Sequence, residues 1–216
     1  MKQQRKNNMT AMHLRLLFFT AGLTILAFGV TLTIKGSVLG VGSWDVLHIG
    51  LANYALTIGT WSIVTGFIIL LIGTYFTKRM PKLGTWVNML FVGVLIDVFN
   101  ALLPNVTTQS MQVLSFGVGI VLLGFGCGMY IVADFGAGPR DSLMMLLTER
   151  LGWSVTASRT TIEVTVACVG FIIGGPVGIG TVFMAFGLGP IVSRSLQFNQ
   201  KLFQQLCKET YAVQSH

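Results

Sequence analysis

Residues 39–45 read Leu39-Gly40-Val41-Gly42-Ser43-Trp44-Asp45, in which two closely spaced glycines are followed by an aspartate. The same pattern returns 96 positions later as Phe135-Gly136-Ala137-Gly138-Pro139-Arg140-Asp141. Each copy follows a long apolar stretch and precedes a short, partly polar segment. We therefore predict two glycine turns, each leading into a short helix that dips into a membrane protein.

The similarity between the two halves of the chain extends well beyond these turns. Before the turns the spacing is 97, and it aligns Gly22 and Phe28-Gly29 with Gly119 and Phe125-Gly126. After the turns the spacing is 96, and it aligns Thr60, Ser62 and Gly84-Thr85 with Thr156, Ser158 and Gly180-Thr181. An ordered series of matches through every element indicates an internal duplication of about 96 residues.

The composition predicts a chain that resides in a lipid bilayer. Hydrophobic residues make up 53% of the 216 residues and charged residues only 10%, whereas soluble domains carry about 25% charged residues. The net charge of +7 does not indicate nucleic acid binding. The basic residues flank apolar stretches, as the signals that orient membrane proteins do.

Six stretches have the length and apolarity of transmembrane helices. They cover about residues 14–34, 58–77, 83–103, 111–133, 154–173 and 179–196. The segments 41–54 and 139–151 are too short to cross. We predict an all-α polytopic membrane protein in a single domain, residues 1–216, with six transmembrane helices and two short re-entrant helices. Within it we expect an N-terminal segment (1–13), repeat one (14–103), repeat two (111–196) and a polar tail (197–216).

The distribution of basic residues orients these spans. With a cytoplasmic N-terminus and short segments that do not cross, the cluster Lys78, Arg79 and Lys82 lies inside and Lys35 alone lies outside. Short segments that crossed would put this cluster outside, against the positive-inside rule. Each half then has an odd number of spans, so the two repeats are inverted relative to each other, as in many secondary transporters. Both termini are cytoplasmic in this arrangement.

The two glycine turns form the first candidate site. The half-helix turns consist of Gly40, Gly42, Gly136, Gly138 and Pro139. Glycine permits positive φ and close backbone packing, and proline suits the first position of a helix. The unpaired amides at the start of a short helix favour an anionic or polar partner. Asp45 and Asp141 fall in these first turns, where they cap the amides, bind substrate or a proton, or do both.

Two further residues beside the first-turn aspartates are candidates. His48 lies one turn after Asp45 and is either a proton shuttle or a solvated side chain near the outer surface. Arg140 is expected to hold an anionic group or to pair with Asp141. Trp44, at the equivalent position in the first half, is expected to anchor the chain at the membrane interface.

Three charged residues fall inside predicted spans. Arg159 and Glu163 are four residues apart on one helix face and can pair. A carboxylate within the membrane is by default a functional candidate, so Glu163 either serves substrate or proton binding or simply pairs with Arg159. Asp97 lies towards the outer end of the third span and has no neighbour in sequence to neutralise it.

The sequence carries no motif of an enzyme or of a cofactor site. It lacks a His-Glu-x-x-His motif, a nucleophile elbow, a Walker A motif and a cysteine–histidine cluster. We therefore expect no catalytic residue, no metal and no cofactor. Gly124-x-x-x-Gly128 and Gly170-x-x-x-Gly174 permit close helix approach. Ordinary packing and a homodimer interface both remain open as explanations.

The pattern Gly40-x-Gly42-x-x-Asp45, with its second copy at 136–141, resembles the bacterial YczE/YyaS/YitT family of integral membrane proteins. This resemblance covers nearly the whole chain and implies a plasma-membrane protein. Genetic context links some members to secondary-metabolite production. From the residues we predict a small secondary carrier or exporter that binds a small polar or anionic molecule between its halves. The alternative is a non-transporting accessory protein of a biosynthetic complex.

Overall fold

The fold is given by a computed structural model, which describes residues 2–213 except residues 79 and 137. Arg79, one member of the predicted inner cluster, therefore lies outside the described residues. The described chain forms a short 3₁₀ helix, Ser37–Leu39, and eight α-helices: α1 (Lys2–Lys35), α2 (Ser43–Ala52), α3 (Ile58–Thr77), α4 (Leu83–Leu102), α5 (Gln109–Val132), α6 (Pro139–Leu151), α7 (Val155–Ile172) and α8 (Ile179–Val213). The order long, short, long, long occurs twice, and the predicted all-helical class is confirmed.

Five helices of the described chain are long and apolar enough to cross a membrane. They are Met12–Lys35, Ile58–Thr77, Leu83–Leu102, Gln109–Val132 and Ile179–Cys207. The predicted fifth span corresponds to α7, which has 18 residues and is not among these five. With 10 and 13 residues, α2 and α6 are too short to cross. A polytopic membrane protein is thus confirmed, and the sixth crossing stays a prediction.

Large apolar side chains cover the outside of the helices. Exposed examples are Phe67, Leu71, Leu90, Leu114, Val121 and Phe186. Inside, the largest apolar cluster lies where α1, α4, α5 and α8 meet: Ala27, Val30, Ile96, Phe116, Ile120, Leu123 and Met184. An apolar exterior around an apolar core is the surface that lipid requires, since lipid tails offer no partner to polar groups.

The two helices α1 and α5 pack with their backbones in contact. A Cβ built on Gly22 would lie 2.6 Å from the amide nitrogen of Tyr130, and one on Gly36 would lie 2.5 Å from the carbonyl oxygen of Gln112. Residue numbers rise along α1 as they fall along α5, so the two helices are antiparallel. Small residues at this crossing let the backbones approach each other.

Each short helix packs against a long helix of the other half. In the first case α2 packs on α7, where a Cβ built on Gly170 would lie 2.5 Å from the amide nitrogen of Leu47. In the second case α6 packs on α3, where a Cβ built on Gly66 would lie 3.3 Å from Cγ of Pro139. The halves therefore interlock, because each supplies the packing surface for the other's short helix.

The turns that precede the short helices require glycine at one position each. Gly40 has φ +90° and Gly136 has φ +150°, values that side chains with a Cβ rarely adopt. A Cβ on Gly40 would lie 2.4 Å from the amide nitrogen of Gly178, and one on Gly136 would lie 2.6 Å from Oγ1 of Thr85. Each turn is thereby seated on the opposite half of the chain.

Hydrogen bonds at the helix ends distinguish the two faces of the molecule. Lys35 at the end of α1 donates to the carbonyl oxygen of Asn100 at 3.0 Å and to Oδ1 of Asn105 at 2.7 Å. Lys82, just before α4, donates to Oδ1 of Asp134 at 3.2 Å. Because α4 runs from Lys82 to the Asn100 end, Lys35 and Lys82 lie on opposite faces, as the charge pattern predicts.

Candidate functional site

A cavity of about 170 Å³ lies between the two halves, and residues of all eight helices line it. The start of α2 contributes Trp44, and the start of α6 contributes Pro139, Arg140 and Asp141. The two glycine turns are far apart in sequence, yet the helices that follow them begin at the same cavity. The structure therefore brings the main sequence candidates together at one place.

Four charged side chains line the cavity. Arg140 and Asp141 come from α6, while Arg159 and Glu163 come from α7. The ion pairs of the described residues do not include the expected pair between Arg159 and Glu163. Two cationic and two anionic groups thus face one small space, whose wall is otherwise largely apolar.

Arg140 reaches from α6 across to α2. Its Cζ lies 5.2 Å from the centroid of the Trp44 ring, a cation–π distance. Its Nη2 lies 3.8 Å from Oδ1 of Asp45, so its partner is Asp45 and not Asp141 as the sequence suggested. Asp45 is 2% exposed and Arg140 42% exposed. Arg140 thus has a buried carboxylate on one side and open space on the other.

Trp44 and His48 are both buried, so two expectations from the sequence were wrong. Trp44 packs with Ile69 of α3 and Ile162 of α7 instead of anchoring the chain at the membrane interface. His48 is 1% exposed and does not lie at the outer surface. The reason is that α2 is enclosed between α3 and α7, which hydrophobicity along the chain does not reveal.

Asp45 and His48 form a polar pair within this buried region. Oδ1 of Asp45 lies 3.9 Å from Nδ1 of His48, and neither atom has a hydrogen-bond partner among the described residues. Nε2 of His48 lies 2.9 Å from Oγ1 of Thr65 on α3. Buried polar atoms without partners are rare and mark places where a proton or a ligand group is exchanged.

Burial also sets the charge of this pair, which lies outside the five spans. Burial raises the pKa of Asp45 to about 6, although the nearby Arg140 lowers it and Glu163 adds a further increase. Burial lowers the pKa of His48 well below its usual value, and Arg140 acts in the same direction. His48 is therefore neutral at physiological pH, whereas Asp45 changes its charge near pH 6.

Asp141 is held in a different way from Asp45. Tyr130 donates a hydrogen bond from Oη to Oδ2 of Asp141 at 3.2 Å. The N-cap residues of the two short helices are Gly42 and Gly138, which offer no side-chain cap. Among the described residues neither aspartate accepts a hydrogen bond from an amide of its own helix. The expected capping bonds are therefore absent from this part of the chain.

Asp97 does not line the cavity. Its carboxylate accepts hydrogen bonds from the amide of Gly59 at 2.8 Å and from the hydroxyl of Thr57. Both donors belong to the start of α3, where an anionic group also complements the helix dipole. The structure therefore gives Asp97 a local role in closing α3, away from the other candidates.

Sequence reasoning missed two polar side chains of the cavity wall. Asn88 of α4 is 7% exposed and Tyr130 of α5 is 4% exposed, and both line the cavity. Each lies inside a predicted span, where polar groups are costly and usually face the protein interior. That signal could have identified Asn88, whereas the bond from Tyr130 to Asp141 depends on the fold.

The fold and the cavity define a helical, polytopic membrane protein with a polar site between its two halves. The chain belongs to a family of unknown function (DUF6198), whose profile matches residues 13–196. It is 45% identical to the uncharacterized membrane protein YczE of Bacillus subtilis (strain 168) over 204 residues, 94% of this chain and 95% of that protein. The resemblance drawn from the glycine–aspartate pattern is therefore confirmed.

Two further relatives extend the similarity. An uncharacterized protein of Haemophilus influenzae is 31% identical over 194 residues, 89% of this chain and 88% of that protein. The uncharacterized protein YyaS of Bacillus subtilis is 28% identical over 172 residues, 78% of this chain and 85% of that protein. No solved structure matches the chain.

Proposed function

We propose that the protein is a small secondary carrier or exporter that moves a small polar or anionic molecule through the cavity between its halves. The observation that carries this proposal is the convergence of both short helices and four charged side chains on one cavity. Charged groups are costly within a membrane and generally line substrate or ion pathways there.

The packing of α1 on α5 supports an inverted repeat. Gly22 aligns with Gly119 and Gly29 aligns with Gly126. A Cβ on Gly22 would lie 3.0 Å from the carbonyl oxygen of Gly126, and one on Gly119 would lie 2.9 Å from that of Gly29. Such reciprocal contacts are what a two-fold axis between equivalent, antiparallel helices produces. Inverted repeats of this kind build their substrate sites at the repeat interface.

The direction of the short helices favours an anionic or zwitterionic substrate. At the end of α2, Asn53 donates to the carbonyl oxygen of Gly174, which follows α7, at 3.4 Å. At the end of α6, Arg150 donates to the carbonyl oxygen of Phe76, at the end of α3. Both short helices thus begin at the cavity and end near opposite faces. Their positive N-terminal ends are directed at the cavity, where they attract negative groups.

The size and the charge of the cavity limit the substrate class. Its volume of about 170 Å³ is below the roughly 300–1,000 Å³ of sites for drug-sized ligands. Arg140 and Arg159 attract a negative group, while Asp141 and Glu163 attract a positive group or a proton. A small anionic or zwitterionic metabolite, moved together with protons, fits these features.

Substitution of the cavity carboxylates tests this function. In proteoliposomes with a proton gradient, and with a substrate found by a thermal-shift screen of metabolites, we expect Asp141→Asn and Glu163→Gln each to lower flux at least tenfold. The reason is that each removes a group that binds either substrate or a proton. Asp97→Asn is the matched control and should retain flux, because Asp97 lies outside the cavity. Unchanged flux in both cavity variants would rule them out as coupling groups.

Cysteine labelling tests the proposed topology, with both termini in the cytoplasm and the chain in the plasma membrane. After Cys127, Cys168 and Cys207 are replaced by serine, single cysteines are introduced as Thr107→Cys and Met80→Cys, both at exposed positions. We expect an impermeant reagent to label the first variant in intact cells, and the second only after permeabilisation. If Thr107→Cys is labelled only from the inside, the inverted arrangement is wrong.

A further inference from the structure

The hydrogen bonds around His48 define which of its nitrogens carries the proton. Thr65 donates its hydroxyl hydrogen to the carbonyl oxygen of Trp61 at 2.8 Å. Thr65 Oγ1 therefore accepts a hydrogen bond from Nε2–H of His48 at 2.9 Å. In a neutral imidazole only one nitrogen carries hydrogen, so Nδ1 of His48 is left as an acceptor. The atom opposite it, Oδ1 of Asp45, is also an acceptor when Asp45 is ionised.

Oδ1 of Asp45 lies between two alternative partners and is bonded to neither. The distance to Nδ1 of His48 is 3.9 Å, and the distance to Nη2 of Arg140 is 3.8 Å. Both exceed the range of about 2.7–3.2 Å for a hydrogen bond. A modest rotation of the carboxyl group shortens one distance at the expense of the other. An ionised carboxylate favours the guanidinium, and a protonated one favours the bare imidazole nitrogen.

We propose that Asp45 exchanges between these two partners and thereby couples a proton to anion binding. When protonated, Asp45 donates to His48 and leaves Arg140 free to bind the anionic group of a substrate. When ionised, Asp45 pairs with Arg140 and displaces that group. One proton from solvent is taken up for each carboxylate, sulfonate or phosphate monoanion bound. This inference rests on the carrier function proposed above and adds its coupling group and its stoichiometry.

The other groups near Asp45 leave this exchange intact. From α7, Glu163 and Arg159 face the same cavity, and from α6, Asp141 is held by Tyr130. Residues 58–77 of α3 contain no charged side chain. The part of α8 near Gly42, residues 179–190, contains none either. A carboxyl pKa of about 6 puts the exchange within the physiological range.

The exchange is tested on the purified wild-type protein in lipid nanodiscs with methanesulfonate, an anion that does not titrate near neutral pH. We expect binding, followed by thermal shift, with an affinity that falls about tenfold per pH unit between pH 6.5 and 8. In weakly buffered solution at pH 7, close to one proton should be taken up per anion bound. Dimethyl sulfone, which has nearly the same shape and no charge, should not bind.

Two variants assign the effect to the proposed groups. Asp45→Asn imitates the protonated acid, because its amide can donate to Nδ1 of His48. We expect it to bind methanesulfonate with an affinity that does not depend on pH and without proton uptake. Arg140→Gln should lose binding altogether. Asp97→Asn, the control outside the cavity, should behave as the wild type does.

The proposal and the carrier function fail in different ways. Wild-type protein that does not bind methanesulfonate at pH 5.5, or that binds it without proton uptake, overturns the exchange, and so does unchanged pH dependence in Asp45→Asn. The two wild-type results require no variant to fold. Coupled binding without any flux in proteoliposomes would support the exchange and refute the carrier function.

Discussion

Gly126→Val is expected to prevent stable folding, because α1 and α5 are in backbone contact at this position. A Cβ on Gly126 would lie 2.5 Å from the amide nitrogen of Leu26 and 2.6 Å from the carbonyl oxygen of Gly22. Both neighbours are backbone atoms, so no side-chain rotation relieves the overlap. Overpacking typically costs about 1–3 kcal/mol and occasionally more. A contact against backbone belongs at the upper end, and we expect a loss of about 3 kcal/mol.

Gly117→Val provides a matched control in the same helix. A Cβ at Gly117 would have no neighbouring atom within 4 Å, so we expect a change of about 0.5 kcal/mol at most. Valine lowers helix propensity to the same extent at both positions, so the difference between the variants reports the crossing alone. Thermal unfolding and size-exclusion chromatography in detergent give the comparison. Equal unfolding temperatures would contradict the close packing of α1 on α5.

Arg140→Glu is expected to have the second largest effect, because it replaces the cationic partner of a buried carboxylate with an anion. Asp45 is 2% exposed and has Arg140 Nη2 at 3.8 Å. The new carboxylate would also join Asp141 and Glu163 around one small cavity. Neighbouring charges couple by about 0.5–3 kcal/mol, and we expect a destabilisation in the upper part of that range. Binding of methanesulfonate should be lost.

A second substitution distinguishes repulsion from a general loss of packing. Adding Asp45→Asn to Arg140→Glu removes one of the two repelling charges, so the double variant should recover most of the lost stability. The destabilisation by Arg140→Glu should also be larger at pH 7.5 than at pH 5. With a pKa of about 6, Asp45 is ionised at the higher pH and neutral at the lower one. Arg194→Glu, an exposed charge reversal on α8, should change stability little at either pH.

Local signals in the sequence were sufficient to predict the helices. The predicted short segment 139–151 coincides with α6, and the predicted span 58–77 coincides with α3. Hydrophobic stretches, together with glycine and proline at their ends, mark such boundaries because each acts within a few residues. The pairing of glycines at spacings of 96 and 97 likewise needed no structure. It identified the two turns that begin at the cavity.

The partners of the charged residues could not be predicted in the same way. Asp97 caps the start of α3 instead of facing a substrate, and Arg140 pairs with Asp45 instead of with its neighbour Asp141. These contacts join residues that are far apart in the chain. Sequence spacing limits which side chains meet within one helix, but it gives no information about which helices meet.

By itself, the sequence determined that this is a helical membrane protein of the DUF6198 family, where its helices begin and end, and that two glycine turns recur. Hydrophobicity and backbone preference act locally, so these properties are written along the chain. The tertiary structure alone decided that each short helix packs on the opposite half and that both start at one cavity. It also decided that Asp45 lies buried between His48 and Arg140. That position arises only when two distant segments exclude water from the same carboxyl group.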